Sequence, residues 1–253
     1  MHSLIDIGYD WPWTHGHLII TALTLPLCWL SWKRQWSRIV LTLLGAVAAW
    51  SIAAFLVVQF VFRFNDVPEL PTQAFVASGP ARVLDLGAGS GRSSLMVLNA
   101  RPQVTLVALD NFSATYIRGH GAEKTRANFR AAGFESRATV ESGDMRELSF
   151  PDASFDAIVS AYAIDHLSGT DIPKTLAEAA RVLRPGGEFL LEVMYPDRWM
   201  KFAWGPMLLH GASAARMRAA WPARLEAAGF KVVEVGTAPI TLYLRAVRPQ
   251  STQ

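Results

Sequence analysis

The chain has 253 residues, 51% of them hydrophobic and 18% charged, with a formal net charge of +3. That length holds one full α/β domain and something extra. The weak charge and scattered basic residues exclude a nucleic-acid-binding stripe. The single cysteine, Cys28, excludes an internal disulfide and a cysteine-based metal site. The mean hydropathy of +0.21 is too apolar for an ordinary soluble enzyme, and the excess is local.

Residues 1–17 are polar and aromatic, without the positive charge of a secretory signal. Residues 18–32 form an apolar stretch broken only by threonines, Pro26 and Ser31. At 1.5 Å per residue it reaches roughly 22 Å, short for a spanning helix. Lys33, Arg34 and Arg38 follow as a basic link around Trp36, and residues 39–62 carry no charge. That second run covers roughly 36 Å, enough to cross the hydrocarbon with some tilt. Tryptophans at 11, 13, 29, 32 and 36 crowd the ends of the first run, as interfacial aromatics do. The expectation is a membrane-embedded helical hairpin; the alternative is a pair of buried helices in a soluble fold.

Residues 65–80, with prolines at 68, 71 and 80, read as a linker in which 73–78 form a short helix. Next comes VLDLGAGSG, residues 83–91. An apolar strand ends at Asp85 and Leu86, and Gly87, Gly89 and Gly91 follow, with Ala88 between the first two. Glycines let backbone N–H groups approach a ligand with no Cβ in the way. The spacing is G-x-G-x-G, not the G-x-G-x-x-G of dinucleotide sites, and the preceding acid suits an amino-bearing or cationic ligand. A helix over 92–100 and a strand over 103–109 lead to Asp110 and Asn111. A helix over 122–132 is capped by Gly133, and His120 lies just before it. A strand over 138–141 runs into Gly143, Asp144 and Met145, and FPDASFDAIVS, residues 150–160, reads as a turn and a further strand leading into AYAIDHL, residues 161–167.

The helix expected over 172–184 ends in RPGG, a sharp turn into a strand over 188–193. Residues 195–211 are aromatic without strand alternation; they line an apolar pocket, rest on a membrane, or pack as a helix on the sheet. A helix over 213–228 and strands over 230–235 and 240–247 close the chain.

VLDLGAGSG, the GDM after the third strand, FPDASFDAIVS and RVLRPGG occur in the order that resembles the class I S-adenosylmethionine-dependent methyltransferases, type 11 group. The resemblance covers residues 81–249. It implies an α/β, Rossmann-like seven-stranded sheet with the last strand antiparallel, here preceded by two hydrophobic membrane helices. The implied division is 1–64 as hairpin, 65–80 as linker and 81–253 as methyltransferase domain.

It also implies S-adenosylmethionine as cofactor. Asp85, Leu86, Gly87, Ala88, Gly89 and Gly91 would form its loop. Asp110 would bond the ribose hydroxyls with Asn111 beside it, Asp144 would bond the adenine amino group with Gly143 beside it, Met145 would pack on the ring, and Ala161 would border the site. Tyr162, Asp165 and His166 fall near the transferred methyl or cap the next helix, and His210 is a further candidate base.

Methyl transfer needs proximity, orientation and desolvation, and a base only when the acceptor loses a proton. The expected acceptor is a small lipophilic molecule, with the membrane as the other partner and no metal. The competing readings are a membrane-anchored NAD-dependent oxidoreductase and a non-catalytic adaptor with a cofactor fold.

The positive-inside rule places the basic link in the cytoplasm, while the cofactor is cytosolic. Either both termini are cytosolic or the hairpin dips into one leaflet. The expected location is the inner, cytoplasmic membrane with the catalytic domain facing the cytoplasm.

Overall fold

The computed structural model describes residues 5–113, 117–119, 121–205 and 213–250. Its centre is a seven-stranded sheet of order β3-β2-β1-β4-β5-β7-β6. The strands are β1 (Ala81–Leu86), β2 (Val104–Asp110), β3 (Ala138–Ser142), β4 (Phe155–Ala161), β5 (Leu183–Met194), β6 (Lys231–Ala238) and β7 (Thr241–Val247). The first five are parallel, and β7 runs antiparallel to β5 and β6. This is the expected Rossmann-like sheet. Strand order reverses at β1 and β4, so their carboxyl ends open the crevice in which such sheets hold ligands.

Helices cover both faces: α3 (Arg92–Ala100), α4 (Ala122–Ala132), α5 (Asp171–Val182), α6 (Arg198–Trp204) and α7 (Ala214–Ala227) follow the two N-terminal helices described below. Alternation along β1 sends Leu84 and Leu86 to one apolar core with β4, α5 and α7, and Val83 to the other with α3 and Phe129.

Two expected elements differ. Residues 73–78 form turns and no helix, with Val76 at φ +46°. β5 begins at Leu183 and runs through the RPGG stretch. There the Gly186 N–H donates to Arg248 O (2.7 Å) and the Arg248 N–H to Gly187 O (3.0 Å), so pairing with the chain's end extends the strand through an expected turn.

The N-terminal pair is α1 (Trp11–Lys33) and α2 (Arg38–Val57), the latter prolonged by a π-helical turn, Val58–Phe62. α1 has 23 residues and so is longer than its apolar stretch. It starts at Trp11-Pro12, where proline fits because the first N–H groups of a helix lack partners anyway. The helices are tied by polar contacts: Ser51 donates to His17 O (2.6 Å) and shares a bond with Thr21 (2.8 Å), and Gln59 donates to Thr14 O (2.6 Å). Their outer faces are apolar, with Ile39 72%, Leu23 64% and Leu43 61% exposed. Arg38–Phe62, 25 residues, is long and apolar enough to cross a membrane, and only 17% of its apolar window is buried. Trp50 Nε1 donates to Phe202 O (2.9 Å), joining α2 to α6.

The segment before α1 packs onto the sheet domain. Ile7 is buried among Val83, Met96 and Phe129. Asn128 of α4 accepts from the Asp6 N–H (2.9 Å) and donates to both Asp6 O and Ser90 O (2.9 Å each). Lys124 pairs with Asp6 (2.9 Å), and Tyr9 bridges to Ile117. The expected boundary at residue 64 therefore separates elements that share a core.

Asn128→Ala strands the Ser90 carbonyl and the Asp6 N–H in a buried setting. It should cost about 1–3 kcal/mol, read as a lower urea midpoint, and should expose residues 5–10 to protease first. Uniform cleavage along the chain would refute that order of release.

Candidate active site

The turn after β1 depends on its glycines. Gly87 sits at φ +79°, and a Cβ there would lie 2.2 Å from the Ala163 Cβ. The Gly87 and Ala88 N–H groups both donate to Leu109 O (2.9 and 3.1 Å), which hangs the loop on β2. Asp110 ends β2 and accepts from the Gly89 N–H through Oδ2 (2.8 Å) and from the Phe112 N–H through Oδ1 (2.5 Å). A carboxylate offers about four acceptor sites, so both oxygens keep capacity toward the cleft they line.

That cleft has a volume of about 310 Å³. Gly87, Ala88, Gly89, Asp110 and Asn111 line it on one side, and Met145, Ala161, Tyr162 and His166 on the other. Met145 reaches over the glycine turn, its Cε 3.0 Å from where a Gly87 Cβ would stand.

The other expected residues sit elsewhere. Asp85 is fully buried and accepts from Ser93 Oγ (2.7 Å) and Ser94 Oγ (2.6 Å) through one oxygen. Burial pushes its carboxyl up to about 6, against the pull of the two hydroxyls. Its place is beneath the loop, between β1 and α3. Leu86 belongs to the core on the opposite face, and Gly91 starts α3 against Phe129. Gly143 packs on Leu109 and donates to Asp110 O (3.1 Å). Asp144 accepts a two-pronged pair from Arg146 (2.6 Å at the shortest), which holds its carboxyl below the usual range. It is not among the residues lining the cleft.

Asp165 accepts from the Met194 N–H (2.9 Å) and so ties the turn Ile164–His166 to the end of β5. Burial raises its carboxyl pKa. Tyr162 occupies the left-handed region at φ +53°, uncommon for a side chain of that size. Its hydroxyl pairs with that of Thr241, which donates onward to Pro239 O (3.2 Å). Burial, reinforced by the nearby Glu192 charge, pushes the phenol far above its ordinary value, so Tyr162 keeps its proton at neutral pH. His120 and His210 lie outside the described residues.

A second, larger cavity of about 600 Å³ opens beside the first. Its walls include Val61, Phe62 and Phe64 from the end of the α2 segment, Met200 and Trp204 of α6, and Ile240. Trp204 lies against Phe62 and Phe64, with ring centroids 5.1 and 5.7 Å apart. The two cavities share Tyr9, Pro68, Arg92, Tyr162, His166 and Glu192. Trp199 and Trp204 begin the aromatic stretch of unassigned role; residues 206–212 lie outside the description.

Sequence reasoning missed Glu192, Arg92 and Tyr9. Glu192 had a signal: it is the one acid in the buried run of residues 189–193, at a strand's carboxyl end. Tyr9 had none, since its position depends on the N-terminal segment folding back. Glu192 is 5% exposed, and its Oε1 has no hydrogen-bond partner among the described residues. Burial raises its carboxyl to about 7, with Arg92 pulling the other way.

Asp85 and Glu192 thus both hold protons in the folded state that the unfolded chain releases near pH 4. Folded pKa values above unfolded ones mean stability is fullest below the unfolded values and falls as pH rises through about 6 and 7. The urea midpoint should decline from about pH 4 to 7. Asp85→Asn should flatten the part between about 4 and 6; an unchanged profile would show that Asp85 does not bind a proton there.

The methyltransferase-domain family model matches residues 83–187. A ubiquinone/menaquinone biosynthesis C-methyltransferase from Dinoroseobacter shibae is 34% identical over 110 residues, 44% of this chain and 41% of that protein. A phosphatidylethanolamine N-methyltransferase from Cereibacter sphaeroides is 32% identical over 133 residues, 51% of this chain and 60% of that one. The chain spans less than half the length of the first curated relatives it matches. An O-methyltransferase family protein from Burkholderia thailandensis shares the fold at 17% identity and TM-score 0.55, covering 92% of this chain and 72% of that chain. Residues 83–187 thus match a methyltransferase domain, and the sheet around them shares its fold with an O-methyltransferase family protein.

Proposed function

We propose that the protein is a membrane-held methyltransferase that moves a methyl group from S-adenosylmethionine to a small lipophilic acceptor. The observation that carries this is the larger cavity. It adjoins the glycine-loop cleft, is walled mainly by aromatic and aliphatic side chains with Arg63, Asp66, Glu69, Arg92, His166 and Glu192 among them, and takes part of its wall from the apolar α2 segment. Two relatives support the acceptor class, being named for ubiquinone/menaquinone biosynthesis and for phosphatidylethanolamine methylation.

The residues of the smaller cleft suit the cofactor. Asp110 offers acceptor-only oxygens to a ribose diol. Met145 gives an apolar surface for a purine, and the Gly87 turn packs against Ala163 with no Cβ between them. When bound, S-adenosylmethionine supplies an electrophilic methyl on its sulfonium. The chain supplies position: the cleft and cavity meet at Tyr162, His166 and Glu192, where an acceptor from the apolar side faces the cofactor side. Apolar walls also exclude water, and burial of the acceptor contributes roughly 25 cal/mol per Å² of apolar area.

For the hairpin, the bilayer reading rests on the exposed apolar faces of α1 and α2 and on the tryptophans beside Lys33, Arg34 and Arg38. The sheet domain is assigned to the cytoplasmic side of the inner membrane because S-adenosylmethionine is cytosolic, which requires a hairpin with both termini in the cytosol or one that dips into a single leaflet. The division proposed is a hairpin with a catalytic domain from about residue 65, with residues 5–10 serving the latter.

Labelled cofactor offered to a membrane-lipid extract, and separately to soluble proteins, RNA and polar metabolites, should label the lipid fraction. Label in the soluble set alone would refute the acceptor class. Asp110→Asn should weaken S-adenosylhomocysteine binding by about 1.5–3 kcal/mol by calorimetry; unchanged affinity would remove Asp110 from the site. Trp204→Ala should raise the acceptor KM about tenfold, or about 1.4 kcal/mol, and leave cofactor affinity unchanged. Equal losses would assign Trp204 to the fold.

The full chain should resist carbonate extraction from membranes. Ile52→Lys, on an exposed face of α2, should cost about 2.5–3.5 kcal/mol of insertion and release it. A detergent-free soluble dimer would show instead that a second copy covers the hairpin.

A further inference from the structure

Glu192 stands at the junction of the two cavities, on the carboxyl end of β5, facing both. It is buried, and one of its carboxylate oxygens has no hydrogen-bond partner among the described residues. A buried acid in that state costs stability and persists where it has a task. We propose that Glu192 is the proton acceptor of the methyl transfer, and that the lipophilic substrate therefore carries an ionisable hydroxyl, as a phenol or enol does. The inference rests on the methyltransferase reading above and adds the base and the substrate class.

The step balances. The acceptor oxygen forms its bond to the methyl carbon while the carbon–sulfur bond breaks, and the bonding pair stays on sulfur as a neutral thioether. The hydroxyl proton passes to the Glu192 carboxylate and then to solvent.

The neighbours fit this assignment. Arg92, from α3, lies near enough to favour the charged form, while Asp85, from β1, opposes it. Tyr243 is its partner across β7, and that hydroxyl bonds to Glu234 (3.2 Å). Tyr9, Tyr162 and His166 complete the surroundings. Tyr162 is committed to Thr241 and keeps its own proton, so it is not a competing base. With its carboxyl held near 7, Glu192 is half charged at neutral pH, the condition in which a general base combines availability with proton affinity.

Glu192→Gln preserves shape and removes the base. With the lipid fraction that the wild type labels as substrate, kcat should fall about 10²- to 10⁴-fold, while S-adenosylhomocysteine affinity and acceptor KM stay within a few-fold. The wild-type kcat should rise with pH through an acid limb near 7. That limb should persist in His166→Asn and vanish in Glu192→Gln.

A Glu192→Gln enzyme within fivefold of wild type overturns the inference and leaves the methyltransferase reading standing. So does a variant whose loss lies in S-adenosylhomocysteine affinity, since Glu192 is then a cofactor anchor. A wild type that labels no lipid overturns both. If Glu192→Gln fails to fold, as its melting temperature will show, the His166→Asn profile decides alone: a lost limb assigns the proton to His166 and a retained one supports Glu192.

Discussion

The buried carboxylate of Asp85 is the constraint on which the site depends. One of its oxygens receives both Ser93 and Ser94, which binds the first turn of α3 to the end of β1. An acid at a helix N-terminus is also favoured by the aligned peptide dipoles. The glycine loop must span the short gap that results, and its positive-φ residues do so without side chains in the way. Asp110 braces the loop from β2 through the Gly89 N–H. Two acids on neighbouring strands therefore fix one loop from both ends, and its geometry is set before any ligand arrives.

The same helix connects the site to the N-terminal hairpin. Arg92, the first residue of α3, donates to Asp66 O (2.8 Å) and, at longer range, to Arg63 O. The chain leaving α2 is thus tied to the helix that follows the glycine loop. The chain entering α1 is tied to α4 through Asp6 and Asn128, and Asn128 also holds Ser90 in the loop itself. Both ends of the hairpin end on the cofactor side of the sheet. The larger cavity takes its walls in part from the apolar helical segment and in part from the strands.

The sheet was legible because its signals are local. Apolar runs, glycine turns and caps place β1, β2, β3 and β7 within two residues, while β6 runs three residues past its expected end and β5 starts well before its expected bound. There Pro185 and Gly186 look like a turn, and the pairing that makes them strand comes from Arg248, more than sixty residues away. α1 was read short because its first turns carry histidines and a glycine; across the hairpin, Ser51 and Gln59 hold the backbone carbonyls of His17 and Thr14. In the site, Asp110 was legible from its distance beyond the glycines. The partners of Asp85 were not read, although both serines lie one turn into the next helix. Asp144 looked like a ligand residue, yet Arg146 two positions on takes its carboxylate.

Four of the parallel strands carry an acid near their carboxyl ends, and three of these acids, Asp85 on β1, Asp110 on β2 and Glu192 on β5, stand beneath or beside the cleft. The strand supplies the same position each time, and the neighbours decide the outcome. Asp85 meets two hydroxyls in a closed space and becomes a brace. Asp110 meets two backbone N–H groups at an open edge and keeps lone pairs to offer. Glu192 meets no donor for one oxygen, in a space continuous with an apolar cavity. Hydrogen bonds to the charged form hold the ionised state, while burial without them favours the proton. One residue type at one topological position thus yields a structural tie, a polar contact surface and a proton-exchanging group, according to how many donors each strand end happens to face.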